Sequence, residues 1–218
     1  MKARLAIATA MLLSASVASG QVCTGGPGRD AGAVQLGGGY SSAKSATEII
    51  GAASGIGERA YGRAFVGSVA YDELSGSTTV LGGTAGYQVP VGSTGRTQLC
   101  PYATLSLGFG PNDIEGTGID ASSTGFDFGV SLGHEIPSSS EISVIPFAAA
   151  NFSRSTVKLS LDGDSESTSD SHVSIGFGVG IVINKQFAVR PQISIPVGAQ
   201  DSDPVVGIGF SLALGNKQ

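Results

Sequence analysis

The chain has 218 residues, 34 of them glycine and none tryptophan, and only 13% are charged. That mixture is unusual for a water-soluble domain and suits a wall with one greasy face and one face of small polar residues. Seventeen acidic residues against 12 basic ones give a net charge of −5, so composition offers no basic surface for nucleic acid or for an anionic lipid layer.

Lys2 and Arg4, the apolar run 5–13 and the small residues Ala18, Ser19 and Gly20 predict a secretory signal peptide over residues 1–20. Its removal leaves ten basic against 17 acidic residues, a charge near −7. Gly20-Gln21-Val22 before Cys23 differs from the Leu-Ala-Gly-like run of lipoprotein signals, so no lipid anchor is expected. No later segment holds the ~18 apolar residues that a membrane-crossing helix needs. Any insertion into a membrane is therefore by strands.

Residues 21–58 are expected to form an N-terminal periplasmic or plug segment. Within it, 34–40 alternates like a strand, and 45–53 fits one or two helical turns with Ser45 as N-cap and Glu48 completing a capping box. Closed bacterial barrels have even strand numbers. The run 34–40 is then a periplasmic appendage, a partial plug, or one strand of a ten-stranded barrel whose partner does not show.

From residue 59 onward, period-two alternation predicts eight strands, near 59–73, 76–91, 97–110, 123–136, 141–157, 172–184, 187–199 and 205–215. The pattern is clearest late in the chain. Phe126, Phe128, Val130 and Leu132 alternate with Gly125, Asp127, Gly129, Ser131 and Gly133, and Val173, Ile175, Phe177, Val179 and Ile181 alternate with Ser174, Gly176, Gly178 and Gly180. A soluble sandwich would show Lys, Glu, Thr and Arg on its second face. Gly, Ser and Ala there suit the crowded bore of a narrow closed barrel, with the apolar face toward lipid. The connections 91–96, 137–140 and 184–185 are short, whereas 111–122 and 158–171 are long and polar, which places both termini in the periplasm. The expected fold is an all-β, closed, antiparallel up-and-down barrel spanning the membrane over residues 59–218. Eight strands are expected and ten are the alternative.

A four-residue unit recurs as Leu99-Cys100-Pro101-Tyr102, Val144-Ile145-Pro146-Phe147 and Val189-Arg190-Pro191-Gln192, with 45 residues between copies. A proline inside a sheet removes a ladder hydrogen bond, so these three belong near strand starts, where pairing is incomplete. Aligned, the copies stack inward residues in tiers: Cys100, Ile145 and Arg190, then Tyr102, Phe147 and Gln192, then Thr104, Ala149 and Ser194. The large groups fill the lower lumen. An ion pair of Arg190 with Glu135 or Asp127 is expected there, within a polar network that includes Gln192 and Tyr102. Cys23 and Cys100, in an exported chain, are expected to form a disulfide that tethers the N-terminal segment to the barrel mouth.

The units Cys100-Pro101-Tyr102-Ala103-Thr104-Leu105 and Ile145-Pro146-Phe147-Ala148-Ala149-Ala150, with the terminal Gly207-Ile208-Gly209-Phe210-Ser211-Leu212, resemble the small outer-membrane β-barrel superfamily of the OmpA transmembrane domain, OmpX-like and opacity-protein-like barrels. The resemblance implies a Gram-negative outer membrane, with its lipid, the barrel-assembly machinery and periplasmic chaperones as partners. It also implies that Gly207, Phe210 and Leu212 carry the assembly signal. The chain departs from the pattern in ending without an aromatic residue and in lacking Trp for the interfacial girdles, a role left to Tyr71, Tyr87, Phe109, Phe126, Phe152 and Phe187.

No catalytic set is legible. His134 points to the lipid side by strand parity, and Asp170-Ser171-His172 are adjacent in sequence, which does not supply the convergence in space that a triad needs. The acidic run 162–170 lacks the sixth-position glycine and twelfth-position acid of a calcium loop. The chain therefore reads as non-enzymatic, without cofactor or metal, serving a structural or surface-loop display and adhesion role. The alternatives are a narrow channel for small solutes and a soluble exported adhesin or fibre subunit. No loop ligand is legible.

Overall fold

The computed structural model describes residues 22–26, 33–57, 59–72, 76–110, 120–161, 164–198 and 203–214. The signal peptide expected over 1–20 lies outside these. A 3-10 turn at Val22–Thr24 precedes twelve strands: β1 (Val34–Ala43), β2 (Ala46–Ile56), β3 (Ala60–Tyr71), β4 (Ser77–Tyr87), β5 (Val89–Val91), β6 (Thr97–Phe109), β7 (Asp120–His134), β8 (Ile136–Pro137), β9 (Ile142–Leu161), β10 (Asp164–Ile183), β11 (Phe187–Val197) and β12 (Val205–Leu214). β5 continues the line of β4 along β6, and β8 continues that of β7 along β9. The other ten close into one antiparallel barrel, because β1 pairs with both β2 and β12 and β9 pairs with β10.

The expected eight strands are corrected to ten. The two additional strands, β1 and β2, come from the stretch read as a periplasmic or plug segment. β2 replaces the helical turns expected at 45–53: Lys44 and Ser45 make a tight hairpin between Ala43 and Ala46, and Glu48, read as a capping residue, points into the lumen. Its alternation is masked because both of its faces mix small and apolar residues. Inward Ala46, Glu48, Ile50, Ala52 and Ser54 face one way, and Thr47, Ile49, Gly51, Ala53 and Gly55 the other. The polar loop expected at 158–171 is also a paired hairpin over most of its length, since β9 and β10 stay in register from Ile142↔Ile183 to Leu161↔Asp164.

The two faces differ as a membrane wall requires. Phe128, Phe177 and Phe210 stand 50%, 49% and 41% exposed on the outside, while Arg190, Gln35 and Glu48 are 1–2% exposed inside. This inversion of a soluble core excludes the soluble-protein alternative, because such a stripe in water would be a very large apolar patch. Tyr71, expected in the aromatic girdle, faces the lumen and packs with Phe65, Val69 and Val80.

Candidate functional site

The end of the barrel that holds the start of β1 and the end of β12 is here termed proximal, and the opposite end distal. Each of the three repeated prolines is the fifth residue of its strand, β6, β9 or β11, near the proximal end. At each one a ladder is interrupted. β4 pairs with β6 down to Gly86↔Tyr102, and pairing resumes at Val89↔Leu99, skipping the rungs of Pro101 and Cys100. The β7–β9 ladder stops at Gly133↔Phe147 and resumes at Ile136↔Val144, skipping Pro146 and Ile145. The β10–β11 ladder passes from Gly178↔Gln192 to Ile181↔Val189, skipping Pro191 and Arg190. The missing proline N–H accounts for all three gaps.

Residues 22–25 occupy the lumen at this level. Val22 packs with Ile145, Val182 and Ala188, and Cys23 with Ile56, Tyr61 and Cys100, so one turn of chain reaches opposite walls. Cys23 is disulfide-bonded to Cys100 with Cα atoms 6.0 Å apart, and both residues are fully buried. Two wall glycines admit the turn: a Cβ on Gly133 would collide with the Val22 carbonyl, and one on Gly180 with the Gly25 backbone. Gly25 itself has φ +75, and a side chain there would strike the Phe147 ring.

Above this plug, inward glycines seat the bulky groups. The Tyr61 ring lies against Gly86, Phe65 against Gly82, Phe147 against Gly178 and the Tyr102 hydroxyl against Gly129. The Arg190 guanidinium lies over Gly209, with Nε 3.5 Å from where a Cβ would be, and Gln192 Nε2 has the same separation from that position on Gly207. Arg63 stacks on Phe65 at 5.1 Å and interacts electrostatically with Glu48 and Tyr61. Ser41 Oγ donates to Glu48 Oε2 at 3.2 Å. Asp127 is hydrogen-bonded to Ser153, and Ser174 Oγ donates to Asn151 Oδ1 at 2.8 Å. These side chains narrow the lumen, while inward Ala149, Asn151, Gly176 and Ser194 keep intermediate exposure.

Of the residues expected in the polar network, Arg190, Asp127, Gln192 and Tyr102 all face this lumen. Glu135 lies past the end of β7 at the proximal rim. There, at the mouth of the barrel, it lines a cavity of about 350 Å³ with Arg96, Glu141, Lys185 and the inward Val182. Sequence reasoning missed Glu48 and Arg63, whose strands begin beyond or at the edge of the stretch read as barrel. Gly207 is inward, while Phe210 and Leu212 are on the outer wall, where Phe210 stacks with Phe187 at 6.5 Å. His134 is outside, with Nδ1 2.7 Å from Thr97 Oγ1, and His172 is inside. Among the described residues no three His, Cys, Asp or Glu side chains gather into a metal site.

At the distal end the strands are unequal. β11 ends at Val197 opposite Val173, but β10 continues for nine further residues to Asp164, paired with β9, and β9 remains paired with β7 out to Ser160↔Asp120. A three-stranded sheet thus stands above the barrel. Along Asp164–His172 the β10 backbone has a partner strand on one side only among the described residues.

A closed antiparallel circuit, apolar outside and filled inside, defines a membrane-spanning β-barrel. The family described as "Outer membrane protein beta-barrel domain" matches residues 5–213, and the chain belongs to it. Among solved structures, the β domain of the Bordetella autotransporter BrkA is similar at 12% identity over 85% of this chain and 100% of that one, with a TM-score of 0.55. The N-terminal β-barrel domain of Pseudomonas aeruginosa OprF is similar at 11% identity over 85% and 100%, TM-score 0.41. Ail, the attachment invasion locus protein of Yersinia pestis, in complex with the heparin analogue sucrose octasulfate, is similar at 13% identity over 84% and 97%, TM-score 0.43. No curated protein sequence matches the chain.

Proposed function

We propose that this barrel is a non-enzymatic display protein of a Gram-negative outer membrane, exported with a cleaved signal peptide, with its proximal end in the periplasm and its protruding sheet outside. The observation that carries the reading is the β10 edge at Asp164–His172, about 30 Å of strand at ~3.3 Å per residue, held from one side and offered to solvent on the other. An extended segment of a partner adds to such an edge through main-chain hydrogen bonds. The plug at residues 22–25, cross-linked to the wall, speaks against the solute channel. The outer-wall residues Phe210 and Leu212, with Gly207, remain our proposed signal for the barrel-assembly machinery, reached by way of periplasmic chaperones.

The test replaces 159–166 by a two-residue turn and compares attachment of expressing cells to host-cell and matrix-coated surfaces, at equal amounts of heat-shifted folded protein on a gel. Attachment is expected to fall to background in the shortened variant. Unit conductance steps of the intact protein in planar bilayers, or attachment unchanged by the shortening, would overturn the reading.

A further inference from the structure

Overall acidity argues against an anionic lipid partner, but the placement of the cations reverses that locally. Of the eight Lys and Arg among the described residues, Arg63 and Arg190 face the lumen, and Lys44, Arg59, Arg96 and Lys185 lie in the connections between strands. Arg154 and Lys158 alone stand on the outer wall. They share one column of β9, Phe152-x-Arg154-x-Thr156-x-Lys158, whose alternate residues point outward.

The foot of this column is an aromatic rung. Phe152 lies 5.2 Å from Phe128, its registered partner, and Phe128 lies 6.0 Å from Phe126. Aromatic clusters of this kind mark the level where hydrocarbon gives way to headgroups. Arg154 stands two residues higher, about 7 Å along the strand, and Lys158 six residues higher, about 20 Å along the strand and less above the membrane once a strand tilt of about 40° is included. Apart from Phe126, the neighbours on this face are hydroxyls. Arg154 is flanked by Phe126 and Ser171, Thr156 by Thr124 and Ser169, and Lys158 by Ser122 and Ser167, with Thr156 and Ser169 hydrogen-bonded at 2.9 Å. The β10 carboxylates Asp164, Glu166 and Asp170 have the opposite parity and point to the other side of the sheet. Asp120, opposite Ser160, is the one acid of these strands on the outward face, at its outermost rung.

We infer that the outward face of β7, β9 and β10 binds a phosphorylated saccharolipid of the outer leaflet, Arg154 and Lys158 holding phosphates and the Ser and Thr carpet taking the sugar hydroxyls. A headgroup fits better than a soluble polyanion because the column begins on the aromatic rung and rises continuously from the lipid-facing wall, so acyl chains and phosphates meet complementary surface together. The inference rests on the orientation given under the proposed function.

The test uses the full chain in phosphatidylcholine vesicles doped with bisphosphorylated or dephosphorylated lipid A, and reads the lipid retained after detergent extraction by native mass spectrometry. The wild type is expected to retain the bisphosphorylated lipid in preference. R154Q/K158Q is expected to retain about tenfold less, while R96Q/K185Q, at the proximal end, retains it as the wild type does. Heat-shifted migration confirms folding of each variant. Equal retention by R154Q/K158Q, indifference to phosphate, or stronger binding of a soluble sulfated polysaccharide than of the lipid would each overturn the inference. Attachment that survives shortening of the sheet would overturn the display reading without altering lipid retention, so the two fail separately.

Discussion

The two ends of the barrel differ in what meets their incompletely paired strands. At the proximal end three prolines open gaps in the ladders, and the chain fills the space behind them with its own residues 22–25, cross-linked to β6 and received by wall glycines. At the distal end β10 carries an edge over Asp164–His172 that the described chain does not cover. The bore is closed by the chain's own packed turn where the fold must be sealed, and backbone is left to water or a partner where the sheet stands clear of the membrane.

The largest effect that should separate the ends comes from the disulfide. The Cys23–Cys100 bond closes a sequence separation of 77 residues, worth about 4 kcal/mol in chain-entropy terms. C23S is expected to lower the heat-shift midpoint on denaturing gels and to expose residues near 22–25 to protease. A midpoint unchanged from that of the wild type would mean the plug contributes nothing to the barrel.

Next in size is the wall itself. Phe177 is an outward residue near the middle of the apolar run of β10, and Phe177→Arg should cost about 2–4 kcal/mol in bilayer refolding measurements. A neutral result would place this face away from lipid.

Gly133→Val and Gly180→Val should each cost about 1–3 kcal/mol by overpacking. They should act on the plug first, because the added side chain meets the backbone of Val22 or Gly25. Thiol labelling of Cys23 and Cys100 after reduction of the disulfide is the readout: its rate should rise in both variants, and full protection would show that the turn sits elsewhere. Smallest of all, Thr168→Pro on the distal edge should leave barrel stability within about 1 kcal/mol, since it touches sheet outside the closed circuit.

Much of this was legible in the sequence. The barrel class and the inward tiers headed by Cys100, Ile145 and Arg190 follow from a strict period of two and a constant spacing of 45 residues, and the disulfide from two cysteines in an exported chain. β1 and β2 were not legible as a pair, because Glu48 and Ile50 share an inward face while Ile49 stands outside, which blurs the apolar contrast that marks a strand. The β9–β10 extension reads as a loop in the sequence for a related reason. Above the membrane neither face needs to be greasy, so Ser, Thr and acidic residues occupy both, and only pairing identifies the strands. Of the expected plug only the Cys23 anchor is legible, since the receptor of residues 22–25 is formed by absent side chains at Gly133 and Gly180.

The most direct test of the sealed ten-strand circuit is a set of cross-strand NOEs from the protein in detergent micelles. The structure predicts contacts of Leu36 with both Ala53 and Leu212, and of Val22 and Gly25 with Gly133 and Gly180. An eight-strand circuit closed directly between β3 and β12, with residues 22–56 showing none of these contacts, would contradict it.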